Sequence, residues 1–181
     1  FNERVSRNLK IKTVEFTSTK SVKPYVKPVF DLINKTYTEI YGFTKLTEDE
    51  MTEFAERFLP LLNPKLIKMI TDENGELLAF IIAMADLSEA IKNSRGRILH
   101  FGWARILWAM KTSKRLQLLL GAIHPNYQNK GLDAVLATML FGSALQLGFK
   151  TVDSHLIMKD NLKMRGEIEK LEGFNLYKEY C

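Results

Sequence analysis

The chain has 181 residues, of which 46% are hydrophobic, and its 26 Lys and Arg against 21 Asp and Glu give a formal net charge of +5. That supports one α/β domain with a sizeable core over 1–181 and excludes a disordered chain, a solenoid or a bilayer-spanning segment, since no apolar run nears the roughly 20 residues a spanning helix needs. The single cysteine, Cys181, excludes a disulfide framework, and with no signal-peptide pattern the chain reads as a soluble, cytoplasmic protein, while the absence of Met at residue 1 points to a piece of something longer.

Lys10 to Phe16 alternates and predicts a first strand. Val22 to Tyr41 places Val26, Val29, Phe30, Ile33, Tyr37 and Ile40 at helical spacing, with Gly42 as its stop. Thr47-Glu-Asp-Glu50 has capping-box spacing and opens a second helix with Met51, Phe54, Ala55, Phe58 and Leu59 on one face, punctuated by Pro60 and Pro64. Lys65 to Ile70 and Leu77 to Ala85 form a hairpin around Asp72-Glu-Asn-Gly75.

The segment Arg95 to Arg115 then mixes bulky apolar residues with Arg and Lys. One reading is an insertion helix packed on the sheet, its basic residues solvated. The other is a contact with a membrane surface or an acyl chain, because basic amphipathic stretches carrying Trp and Phe settle at lipid interfaces.

From Leu116 an apolar strand runs through Pro125 into the turn Gln128-Asn-Lys-Gly131 and out into a helix with Leu132, Val135, Leu136, Met139, Leu140, Ser143 and Leu147 in phase, closed by Gly148. A corner of this kind holds phosphate. The first-turn amides of a helix have no intrahelical acceptors and sit at the positive end of the dipole. Thr151 to Met158 is the next strand, Asp160-Asn161 starts another helix, and Asn175 to Tyr180 closes the chain.

Gln128-Asn-Lys-Gly131 and the order of elements around it resemble the GNAT superfamily of N-acyltransferases, in a bacterial branch also suggested by Lys159-Asp-Asn-Leu-Lys-Met-Arg165 and Leu171-Glu-Gly-Phe174. The resemblance implies an α/β fold with a mixed, mostly antiparallel central sheet flanked by helices and splayed at the acyl-CoA loop. It implies acetyl-CoA or another acyl-CoA as donor, no metal, and direct attack of an amine on the thioester. The donor would lie along Ala122 and Ile123 and against Gln128, Asn129, Lys130, Gly131, Leu132 and Asp133, with Asn161 on the pantetheine or capping its own helix. Asp133 stands where the family has Gly or Ala, and a carboxylate there repels a diphosphate unless it points away.

An acyl transfer needs an oxyanion donor, a base for the amine and an acid for the thiolate. Backbone N–H groups near Ala122 and Ile123 are offered for the first, and Asp86, Asp153 and His124 for the second. The family's acid, a Tyr seven residues after Asn161, is replaced by Ile168, which leaves Tyr177 or Tyr180 on the closing strand. The plain alternatives are that Asp86 caps the next segment, that Asp153 lies on a solvated strand face and that His124 is inert. The leading expectation is an N-acyltransferase acting on a small-molecule or peptide amine, with no specific nucleic-acid partner. Its rivals are a GNAT-shaped module without catalysis, and transfer of a long-chain acyl or aminoacyl group.

Overall fold

A computed structural model of the chain describes residues 9–40, 42–88, 108 and 112–154. Five strands form one sheet in the order β1-β2-β3-β4-β5: β1 is Lys12–Glu15, β2 Ile67–Thr71, β3 Leu77–Ala85, β4 Arg115–Ile123 and β5 Thr151–Ser154. The first four are antiparallel neighbours, and β5 joins β4 in parallel. That parallel step requires a crossover, supplied by a helix between the two strands.

The predicted helix from Val22 to Tyr41 is cut into pieces. A helical turn at Thr19–Val22 and a 3-10 turn at Lys23–Tyr25 lead into α1, Val26–Thr36, and a second 3-10 turn follows at Tyr37–Glu39. Pro24 lies in the first 3-10 turn, where its missing N–H costs no ladder bond. The capping box forms as its spacing requires: the Thr47 hydroxyl accepts from the Glu50 amide, and the Glu50 carboxylate accepts from the Thr47 amide at 2.8 Å, which starts α2, Glu48–Phe58. The hairpin connection is longer than an Asn-Gly pair. Asp72 Oδ1 accepts from the amides of Asn74 and Glu76, both at 2.9 Å, and Gly75 takes φ +92°.

The sheet separates two apolar layers. Ile67, Met69, Phe80, Ile82 and Ala122 meet Val29, Phe30, Leu32 and Ile33 of α1 and Met51 of α2 on one face. On the other face lies α3, Leu132–Gln146, whose Leu132, Val135, Leu136, Leu140 and Ala144 cover Ile70, Leu78, Ala79, Ala83 and Leu116. Lys68 is the polar exception on that face: it is 2% exposed, donates to Glu15 Oε1 and, at 2.7 Å, to Ser143 Oγ of α3. A buried ammonium persists only with such acceptors around it.

Candidate functional site

Two features of β4 create the site. The first is the pairing pattern at its carboxyl end. Because the His124 amide bonds Leu78 O at 2.8 Å, and antiparallel pairs alternate, Ala122 exchanges its hydrogen bonds with Phe80, while the backbone groups of Gly121 and Ile123 point to the opposite edge. Side chains engage both outward carbonyls: the Tyr37 hydroxyl donates to Gly121 O at 2.9 Å, and Gln128 Nε2 donates to Ile123 O at 3.4 Å. The described pairing of β4 with β5 covers Arg115 to Leu118 against Thr151 to Ser154, the other end of the strand.

The second feature is the corner that follows. A 3-10 turn at Pro125–Tyr127 is succeeded by Asn129 at φ 58° and Gly131 at φ 84°, both left-handed, and Gly131 is the N-cap of α3 without any side-chain cap. Each left-handed residue turns the chain sharply, and the first turn of α3 brings amides that have no intrahelical acceptor. Lys130 is exposed, with its ammonium 5.0 Å from the centre of the Tyr127 ring. Asp133 is exposed in the first turn of α3. A carboxylate there favours the helix dipole and opposes an anionic ligand.

The residues expected to bind a donor therefore divide. Gln128, Asn129, Lys130, Gly131, Leu132 and Asp133 share the corner. Ile123 turns its backbone to the edge that pairs with no strand among the described residues, whereas the Ala122 amide faces β3. Gly121, two residues earlier, is the other outward position, and it follows from the two-residue period of the pleat.

The candidate bases lie elsewhere. Asp86 and Asp153 converge on Arg115, whose Nη1 is 4.0 Å from Asp86 Oδ2 and 3.4 Å from Asp153 Oδ2. Leu116, Ala85 and Val152 face α3, so alternation puts Arg115, Asp86 and Asp153 on the α1–α2 side of the sheet. Six residues of strand separate Arg115 from Gly121, about 20 Å at 3.3 Å per residue. Asp86 also accepts the Ser88 amide at 2.8 Å. Burial pushes the Asp86 carboxyl up, but the Ser88 hydrogen bonds and Arg115 outweigh it and hold the group below the ordinary carboxylate value. Asn161 and Tyr177 lie outside the described residues, as do Tyr180 and all of 95–115 except Trp108 and 112–115.

His124 borders the corner. Its Nε2 is 2.7 Å from Lys35 Nζ and its Nδ1 accepts the Asn126 amide at 3.2 Å. Burial and then the Lys35 charge lower its pKa, so the ring is neutral at pH 7. Lys35 and Tyr37, both at the end of α1, were not among the sequence candidates. No local pattern marks them, because their partners lie 89 and 84 residues away in the chain.

A five-stranded sheet with two helices before the hairpin, and an uncapped helix entering straight from β4, is the fold of the GNAT acyltransferases. Among solved structures, the ribosomal-protein-S18-alanine N-acetyltransferase of Escherichia coli has a TM-score of 0.54 at 16% identity, covering 88% of this chain and 74% of its own. AAC(6')-Iy, solved in complex with the bisubstrate analog CoA-S-monomethyl-acetylneamine, has a TM-score of 0.54 at 11% identity, covering 94% of this chain and 99% of its own. No family model matches the chain.

Two curated proteins are similar in sequence. The bacterial ceramide synthase of Caulobacter vibrioides is 24% identical over 161 residues, which are 86% of this chain and 41% of that protein. Protein YghO of Escherichia coli is 27% identical over 157 residues, 83% of this chain and 40% of its own length. The chain thus spans about two fifths of the length of the curated relatives it matches. Among the described residues no helix is long and apolar enough to cross a membrane, and no group of His, Cys, Asp and Glu is placed to hold a metal ion.

Proposed function

We propose that this chain binds an acyl-coenzyme A and transfers its acyl group to the nitrogen of a long-chain amine. The observation that carries the reading is the uncapped, left-handed Gly131 corner continuous with the outward backbone of Ile123 and Gly121. The diphosphate takes the amides of Asn129 to Asp133 together with the Lys130 charge, and the pantetheine amides pair with β4 as an added strand would. Ile123 comes first along that edge. Gly121 lies one pleat repeat farther, about 6.7 Å, where the thioester falls and where its N–H stabilises the oxyanion.

Attack forms the C–N bond, the tetrahedral intermediate collapses with cleavage of C–S, and the amine loses one proton. Asp86 and Asp153 are held by Arg115 about 20 Å along β4 from Gly121, too far from a nitrogen bonding to the thioester carbon to take its proton, which passes to water.

The chain-length reading rests on α2 and on one relative. Phe30, Phe54 and Phe58 make a ladder of rings, with centroids 5.8 and 4.3 Å apart, that climbs from the buried Phe30 to Phe54 and Phe58 at 42% and 38% exposure. One relative is named a bacterial ceramide synthase, ceramide being the amide of a fatty acid with a long-chain amino alcohol, and the exposed rings of α2 offer apolar surface for such a chain. Trp108, 69% exposed, belongs to the basic aromatic segment that would extend this surface.

Calorimetric titration with acetyl-CoA, palmitoyl-CoA and free coenzyme A tests the donor, followed by acylation of sphinganine. A ligand at roughly a hundred times its Kd adds about 2.7 kcal/mol, a clear rise in Tm. Tighter binding of palmitoyl-CoA than acetyl-CoA supports the long-chain donor, and the reverse order assigns an acetyl donor. Absence of binding by all three ends the acyltransferase reading.

A further inference from the structure

The leaving thiolate needs a proton, and a phenolic hydroxyl touches the outward edge of β4 at Gly121. Tyr37 reaches there from the end of α1, its ring held edge-on to Phe43 at 5.7 Å between centroids, and its Oη lies 2.9 Å from Gly121 O. Gly121 is the residue to which the reading above assigns the thioester. We infer that Tyr37 is a catalytic acid, giving its phenolic proton to the coenzyme A sulfur as the C–S bond breaks.

The inference rests on the acyl-CoA reading. The electron pair of the C–S bond goes to sulfur, the phenol proton follows it, and the phenolate is reprotonated from solvent, so neither oxidant nor further co-reactant is needed. In the chain without donor, Gly121 O accepts the phenol hydrogen bond. A donor lying along the same edge brings its sulfur beside Gly121, and rotation about the phenol C–O bond redirects the proton from the carbonyl to it. Burial pushes the Tyr37 pKa up and the Gly121 bond only partly offsets this, so the group enters the reaction protonated.

Tyr37→Phe removes one oxygen and keeps the ring against Phe43. With palmitoyl-CoA or acetyl-CoA as donor and sphinganine as acceptor, turnover should fall about a hundredfold, within the range for loss of a general acid, with donor Kd unchanged. An acceptor-free readout is the ultraviolet absorbance of the thiolate of bound coenzyme A against pH. The wild-type phenol stabilises the thiolate, so the bound thiol should ionise at lower pH than in Y37F. Fluorotyrosine introduced at position 37 should keep most of the wild-type behaviour and move the profile toward lower pH. If coenzyme A binds both proteins and their thiolate titrations coincide, Tyr37 is not the acid and the acyl-CoA reading stands. If coenzyme A does not bind the wild-type chain, both fail.

Discussion

The two ends of β4 are the same strand put to opposite uses. At the amino end, Arg115 to Leu118 are paired with β3 on one side and β5 on the other, Leu116 is fully buried, and the charge of Arg115 is met by Asp86 and Asp153. At the carboxyl end, Gly121 and Ile123 turn their backbone to an edge met by the tips of two side chains, and the chain leaves through two left-handed residues into an uncapped helix. Satisfied hydrogen bonds make a scaffold. Backbone groups that meet no strand among the described residues suit a ligand, because a rigid scaffold presents them without reorganisation.

That contrast can be broken at either end. Leu116→Ala should cost 2–5 kcal/mol in urea unfolding, the usual loss for a buried leucine, and leave coenzyme A affinity per folded molecule unchanged. A large affinity loss would mean the two ends are not separable. Gly131→Glu should weaken coenzyme A binding at least a hundredfold, since it forces a side chain into φ 84° and a carboxylate beside the diphosphate. Retained affinity by calorimetry would show that the corner is not the site.

Asp133→Asn sharpens the comparison, because one residue there serves both purposes. Removing its charge should tighten coenzyme A binding by about threefold at low salt, with the gain shrinking as salt screens it, and should lower stability by roughly 0.3–1 kcal/mol through loss of an acidic group from the first helical turn. If binding is unaffected at low salt, the Asp133 side chain points away from the ligand.

The smallest effect concerns His124. Its folded pKa is depressed, so the stability it contributes through the neutral ring is fully present above the ordinary histidine value of about 6.5 and is lost as the pH falls through the lowered folded value. Protonation sets a cation against Lys35, 2.7 Å away. Unfolding measured at pH 7.5 and pH 5 should show a smaller drop in His124→Gln than in wild type. An identical drop would place the pH dependence in other groups.

Much of the framework was readable from residues alone. The capping box at Thr47, the hairpin strands on either side of Gly75, the entry into α3 at Gly131 and its exit at Gly148 all rest on interactions among neighbours a few residues apart. The first helix was misjudged in extent, because spacing of apolar residues does not register that Pro24 favours a tighter turn or that Tyr37 to Glu39 leave the α-helical ladder. Phe54 and Phe58 share the predicted apolar face of α2 with the buried Met51 yet are exposed, since periodicity reports a stripe and not what covers it.

What the sequence determined by itself is the corner: a glycine able to adopt positive φ, a helix with no capping side chain and a lysine beside them, all within local reach. What only the tertiary structure decided is which atoms line the edge leading to it. The register of β4 against β3 turns Gly121 and Ile123 outward and Ala122 inward, and the packing of α1 on the sheet carries Tyr37 and Lys35 across more than eighty residues of chain to meet that edge. Contacts that close so long a loop are fixed by the packing of whole layers, and no short stretch of sequence encodes them.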